Sequence, residues 1–298
     1  MADTQVKYTN ITTLTKGIPD RILTTEISDD GRYVIYATHK GVISCYDIYA
    51  HRDIWIKRDI NGRRTWRVKS IRISSNLMFV ATLDVRDHVC IRMLLTGSIV
   101  AVFTDHTRDI VFSRDSNLFA MSANVVKIYK THPHIERTAS TEYRDCAVCT
   151  AAFSNSNKHV LYCCDDRIMS IYDIERSSII SKIKTIGFPV HVSYSPDDRY
   201  ILLLTDAVDN IDIYDSGNMH KTHCFSVKSN ITCIHFAKPC VVFVSTTYTD
   251  IIEIDLDENR SSVIHKGDTR TYSSCFNILL SCIVYIDYDD FDVHVYYK

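Results

Sequence analysis

The sequence predicts an all-β protein, a seven-bladed β-propeller of four-stranded blades, closed by an N-terminal strand that completes the last blade. Three observations lead there. A short phrase recurs about every forty residues along the 298-residue chain. Runs of alternating apolar and polar residues are separated by polar turns. The last repeat is one strand short, while an extra strand stands near the N-terminus.

The phrase is an apolar or small residue, two spacers, a second such residue, one spacer, an apolar residue and a polar turn. It reads Ile22-Leu23-Thr24-Thr25-Glu26-Ile27-Ser28, Val68-Lys69-Ser70-Ile71-Arg72-Ile73-Ser74, Val148-Cys149-Thr150-Ala151-Ala152-Phe153-Ser154 and Ile231-Thr232-Cys233-Ile234-His235-Phe236-Ala237. Weaker copies begin at Thr107, Pro189 and Thr271, so successive starts are 46, 39, 41, 41, 42 and 40 residues apart. A period in this range marks a repeat architecture.

Within the first copy, Ile22 to Ser28 is a strand and Asp29-Asp30-Gly31-Arg32 a turn. Tyr33 to Thr38, Val42 to Ile48 and Arg52 to Lys57 supply three more strands. Four strands in roughly forty residues is one propeller blade. The copy from Thr271 holds only three strands, at about 271–276, 279–286 and 291–297. Val6-Lys7-Tyr8-Thr9-Asn10-Ile11-Thr12 is left over to complete it, which removes a long open sheet edge. One domain over 1–298 follows, with blades near 21–60, 66–104, 105–140, 143–184, 186–226, 228–266 and 268–298 plus 6–12.

Composition narrows the class. Hydrophobic residues make up 46% of the chain, enough for a continuous core. A net charge of −2 gives no global field toward nucleic acid or membrane. Met1-Ala2-Asp3-Thr4-Gln5 has no basic and apolar leader pattern, and no run is long enough for a membrane span. Eleven scattered cysteines suit reduced thiols, so the expected location is intracellular and cytoplasmic, with the nucleus also open. Cys45, Cys90, Cys233 and Cys282 are read as small hydrophobes in strands. With 8 Gly and 5 Pro, turns must rest on Asn, Asp and Ser.

Two motifs carry a family resemblance. Ser28-Asp29-Asp30-Gly31-Arg32-Tyr33 and Ser195-Pro196-Asp197-Asp198-Arg199-Tyr200 open second strands, with degraded forms at Ser113-Arg114-Asp115-Ser116 and Ser154-Asn155-Ser156-Asn157. Ser44-Cys45-Tyr46-Asp47, Ser170-Ile171-Tyr172-Asp173 and Asp212-Ile213-Tyr214-Asp215 close third strands. Over about residues 6–298 the chain resembles WD-repeat β-propellers, with Tyr in place of the family's Trp. The Gly-His pair of that family survives only as Asp105-His106, so the Asp–His–Ser–Trp network is expected to be missing from most blades. The resemblance implies the fold and says little about function.

No catalytic pattern is found. Phosphate-loop and dinucleotide glycine patterns, a Gly-x-Ser-x-Gly elbow and His-Glu-x-x-His are all missing from the sequence. Asp29-Asp30, Asp165-Asp166, Asp197-Asp198 and Asp289-Asp290 fall at turns, where Asp caps local backbone. Cys146-x-x-Cys149 and Cys163-Cys164 have zinc-like spacing, but alternation sends Cys163 and Cys164 to opposite faces. These four are read as buried thiols, and His39, His191 and His235 as packing or hydrogen-bonding residues. No enzyme, metal or cofactor is expected.

Charge is more informative. Lys57, Arg58, Arg63, Arg64, Arg67, Lys69 and Arg72 put seven cations in sixteen residues, across the longest repeat spacing and beside Trp66, one of two tryptophans. The residues preceding each repeat start are Arg21, Arg67, His106, Ala147, Phe188, Asn230 and Arg270. In WD propellers this position tends to face the upper surface. The expected partner-binding residues are therefore Arg21, Arg63, Arg64, Trp66, Arg67, His106, Phe188 and Arg270, with arginines on neighbouring blades seven, one and two. An acidic zone is expected from Asp250, Glu253, Asp255, Asp257, Glu258, Asp287, Asp289, Asp290 and Asp292. The functional expectation is a non-enzymatic scaffold or adaptor, a subunit of a larger complex, that docks a protein with an acidic segment. The alternative is an anionic ligand, RNA or a phosphoinositide membrane surface, on the same basic sector.

Overall fold

The computed structural model describes residues 10–14, 20–58, 67–141, 146–206, 210–227, 229–267, 270–276, 282–289 and 291–297. Among them, twenty-eight strands, from β1 (Asn10–Thr13) to β28 (Val293–Tyr297), form seven antiparallel sheets of four strands. Each sheet is one blade. Blade one is β2 (Ile22–Ile27), β3 (Tyr33–Thr38), β4 (Val42–Asp47) and β5 (Arg52–Arg58), in that order from channel to rim. The other inner strands are β6 (Val68–Ile73), β10 (Asp109–Phe112), β14 (Val148–Phe153), β18 (Pro189–Tyr194), β22 (Ile231–Lys238) and β26 (Thr271–Phe276).

The ring closes through blade seven, whose order is β1-β28-β27-β26, with β27 at Cys282–Asp287. The closing strand pairs Asn10 with Tyr297 and Thr13 with His294. Leu14 N–H donates to the Val293 carbonyl at 2.8 Å, and Thr13 Oγ1 meets His294 Nδ1 at 3.0 Å. Residues 6–9 of the expected closing strand lie outside the described residues.

The alternation of each strand explains the ring. Val34 and Tyr36 pack toward blade seven, against Val284, Ile286 and Val295. Their neighbours Ile35 and Ala37 pack toward blade two, against Val68, Ile71 and Val80. The described core divides in this way into one apolar cluster per junction between blades. Second strands, buried on both faces, therefore read as continuous apolar runs, as in Tyr200-Ile201-Leu202-Leu203-Leu204.

Turns between first and second strands share one device. Ser28, Ser74, Ser113, Ser154 and Ser195 each accept a hydrogen bond at Oγ from the N–H five residues on, at 2.8–3.0 Å. Four of these hydroxyls face an Asp or Asn oxygen two residues on, and Ser154 faces the Ser156 hydroxyl. Three residues after each serine the backbone is left-handed. Glycine fills that place only at Gly31; elsewhere Leu77, Ser116, Asn157 and Asp198 take φ of 56–61°. A left-handed non-glycine residue costs about 1 kcal/mol, which the serine's paired hydrogen bonds offset. In blade six Ala237 stands at this position, and β22 runs on to pair Lys238 with Val241.

Two stability outcomes are expected. Deleting residues 1–14 bares the β28 edge and breaks the ring, so a circular-dichroism melt should fall for the whole protein; an unchanged melt would contradict closure. Ser195→Ala leaves the buried Tyr200 N–H without its hydroxyl acceptor and removes one of the donors to Asp197, a loss of about 1–3 kcal/mol. It should lower the urea midpoint with the slope unchanged.

Candidate functional site

The upper surface is the face carrying the loops between blades and the turns between second and third strands. Its register is fixed by a repeated backbone hydrogen bond. The first N–H beyond the second strand donates to the carbonyl of the residue that leads the inner strand. The pairs are His39 to Arg21, Val85 to Arg67, Asp165 to Ala147, Asp206 to Phe188, Thr247 to Asn230 and Tyr288 to Arg270, at 2.7–3.1 Å. In blade three His106 holds the corresponding place, before Thr107, whose N–H donates to the Asp87 carbonyl at 3.0 Å. Arg21, Arg67, His106, Phe188, Asn230 and Arg270 are exposed, and Ala147 is buried.

Several of these side chains are held by aromatic faces or acids. Arg270 lies 4.3 Å over the Tyr288 ring and Arg21 4.8 Å over the Phe291 ring. Arg167 lies 5.6 Å over the Phe188 ring. His106 Nδ1 is 3.6 Å from Asp87, which also accepts from Lys69. The Lys69 hydrogen bond holds the Asp87 carboxyl below its ordinary range. Arg67 has no ion pair with a described residue. Beside Arg270 a cleft of about 370 Å³ opens between blades six and seven, lined by Asn230, Thr247, Tyr248 and Tyr288 among others. Tyr248, Tyr288 and Phe291 were not singled out from sequence, because they belong to turns and become neighbours of the arginines only when the blades stack.

Other expected residues are placed differently or not described. Arg63, Arg64 and Trp66 lie outside the described residues. The described members of the cationic run do not form one patch: Lys57 and Arg58 lie on the outer strand β5, Arg67 and Lys69 at the upper surface, and Arg72 in the central channel. The acidic residues split between faces. Asp250 closes one upper turn and Asp287 opens another, whereas Asp255 caps a lower turn by accepting the Glu258 N–H at 3.0 Å. Asp290 is outside the described residues.

The channel holds a charged cluster that the sequence reading missed. In six inner strands a β-bulge follows the first residue. Polar and ionisable side chains line the axis: Glu26, Arg72, His191, His235 and Cys233 beyond such bulges, and Asp109 at the start of β10. Arg72 bridges Glu26 at 3.9 Å and Asp109 at 3.7 Å. The Nε2 atoms of His191 and His235 are buried without a hydrogen-bond partner. Burial pushes Glu26 up to about 7, against the pull of Arg72, and also raises Asp109. Burial lowers both histidines to about 4, with Arg72 adding to the effect on His191. The Glu26 side chain keeps 30% of its accessibility.

Cys163 and Cys164 do face different junctions, as alternation requires. Cys146, however, approaches Cys164 together with Asp166. The third member of that group, Asp166, is a turn carboxylate outside the Cys-x-x-Cys pattern.

No protein-family model and no curated protein matches the chain. Among the described residues no helix is long and apolar enough to cross a membrane. The protein is a seven-bladed β-propeller, a fold that commonly mediates protein interactions.

Glu26 gives a pH test. A carboxyl with a folded pKa above its unfolded value binds its proton more tightly when folded. Its ionisation therefore costs stability as pH rises from about 4.5 toward and past about 7. The melting temperature of Glu26→Gln relative to wild type should rise between pH 5 and pH 8; a constant difference would mean that Glu26 ionises normally.

Proposed function

We propose that the protein is a diverged WD-repeat-type propeller that acts as a non-enzymatic interaction scaffold. Its upper surface docks an acidic segment of a partner protein on the sector of blades seven, one and two. The observation that carries this reading is that Arg270, Arg21 and Arg67 occupy one register position on three adjacent blades, all exposed. Arg21 and Arg270 lie over aromatic rings, which orients their guanidinium groups and lowers the entropy lost on binding a carboxylate. The cleft beside Arg270 adds Tyr248 and Tyr288, an amphipathic pair suited to a peptide. The Tyr-Asp ends of third strands support the WD likeness. Asp47, Asp173 and Asp215 accept backbone N–H groups of the following turn. The scaffold works inside the cell, as part of a larger assembly.

The test is capture of partners from lysate with wild type and a folded Arg21/Arg67/Arg270→Glu triple variant, followed by titration with synthetic acidic peptides from the captured proteins. Peptide affinity should drop at least tenfold in the variant. Unchanged affinity would remove the upper sector as the site. Selective loss of RNA or phosphoinositide-vesicle binding, with steep salt dependence, would replace the peptide by an anionic polymer or lipid.

A further inference from the structure

Blade four carries a second feature on the upper surface, independent of the arginine sector. Its second strand β15 (His159–Cys164) ends in the turn Asp165-Asp166-Arg167. That turn is fastened to the segment leading β14. Asp165 N–H donates to the Ala147 carbonyl at 2.9 Å, and Ala147 N–H donates to Asp165 Oδ1 at 3.1 Å. Arg167 N–H closes the turn on the Cys164 carbonyl at 3.0 Å, and Ile168 N–H occupies Asp166 Oδ1 at 2.9 Å. The fastening carries Cys146 to the end of β15. One ligand atom from each of Cys146, Cys164 and Asp166 then lies within 4.8 Å of the others.

We propose that Cys146 Sγ, Cys164 Sγ and the Asp166 carboxylate form a zinc site on the upper surface of blade four, at its two inner strands. Zinc takes thiolate and carboxylate ligands at about 2.3 and 2.0–2.2 Å in a tetrahedron, which sets its ligand atoms roughly 3.6–3.8 Å apart. The three groups lie within 4.8 Å of one another, so a shift of about an ångström brings them to that spacing. Two sulfurs select a borderline-soft ion over magnesium or calcium. Cys164 is buried and Cys146 half-buried, whereas Asp166 is exposed, so the site has a dry sulfur floor and an open mouth through which an ion enters. Three protein ligands leave a fourth position for water or for a side chain of a docked partner. Binding displaces the two thiol protons to solvent, so affinity falls as pH is lowered. The ion clamps the segment leading blade four to the turn of the same blade.

The test uses the full chain, reduced and stripped of metal, titrated with Co²⁺ and then Zn²⁺. Wild type should take up one Co²⁺ with a thiolate-to-cobalt charge-transfer band and the visible bands of tetrahedral cobalt, all bleached by one Zn²⁺. Cys146→Ser should lose the charge-transfer intensity. Asp166→Asn, on an exposed turn that leaves the core intact, should weaken affinity about tenfold or more. Cys149→Ser should bind as wild type. Circular dichroism reports whether each variant is folded. No uptake by wild type, or uptake unaffected in folded Cys146→Ser and Asp166→Asn, would overturn the site. So would a Cys146–Cys164 disulfide that persists in glutathione-buffered solution.

Discussion

Every blade of this protein has two apolar faces, and that constraint organises the rest. A single four-stranded sheet buried on both sides has no stable existence in water, because each face would leave a row of Val, Ile, Leu and Tyr exposed. Stacking the sheets gives each face a partner, and only a closed ring leaves none over. The four residue pairs between β1 and β28 carry more than their own hydrogen bonds: they keep the junction between blades seven and one, with Ile22, Val34 and Tyr36 against Val284, Ile286 and Val295, out of water. The junction of blades six and seven is the slimmest among the described residues, with Ile251, Phe276 and Ile283 fully buried. There the contact is completed by rings, including His235 against Phe276 at 4.4 Å.

The repeat persists in chemistry where it has faded in letters. The serine that closes the first turn has the same two hydrogen bonds in blades one to five, although the residue two places on changes from Asp to Asn to Ser. The aspartate ending third strands has the same work in blades one, four, five and six, accepting N–H groups of the next turn. With these acceptors in place, the turns tolerate left-handed Leu77, Ser116 and Asp198 where a glycine would be free of strain. A chain poor in glycine can therefore keep a fold whose turns usually demand it.

The fold was legible because alternation and period are properties of single strands and survive in one dimension. The channel was not. Cation density alone places Arg72 in one surface run with Arg67 and Lys69. A bulge between Val68 and Ser70 resets the alternation and turns Arg72 inward toward Glu26 and Asp109. Those three residues come from three different blades: Glu26 and Arg72 share one place in the repeat phrase and Asp109 stands two places earlier in its own copy, so alternation alone does not show that they meet. The group at Cys146, Cys164 and Asp166 was hidden for a related reason. The Cys-x-x-Cys spacing drew attention to Cys149, whereas the turn that follows β15 supplies the acid. By contrast, the leading residues of the blades could be placed from sequence, since one leads each repeat.

Those leading residues combine a fixed backbone with a free side chain, and this makes them suited to change. In six blades this carbonyl is held by the N–H beyond the second strand, so the main chain at this position does not depend on which residue occupies it. Arginine, histidine, alanine, phenylalanine and asparagine all occur there without altering the ring. Selection can then write a charge pattern around the upper rim at little cost to the fold, in the way that loops on rigid scaffolds carry function. Three arginines on adjacent blades are one such pattern, and the rings of Phe291 and Tyr288 beneath two of them extend it into the neighbouring turns. The channel obeys the opposite rule. Its side chains face one another across the axis, so Glu26, Arg72 and Asp109 constrain each other's charge, and a change at one alters the ionisation of the rest.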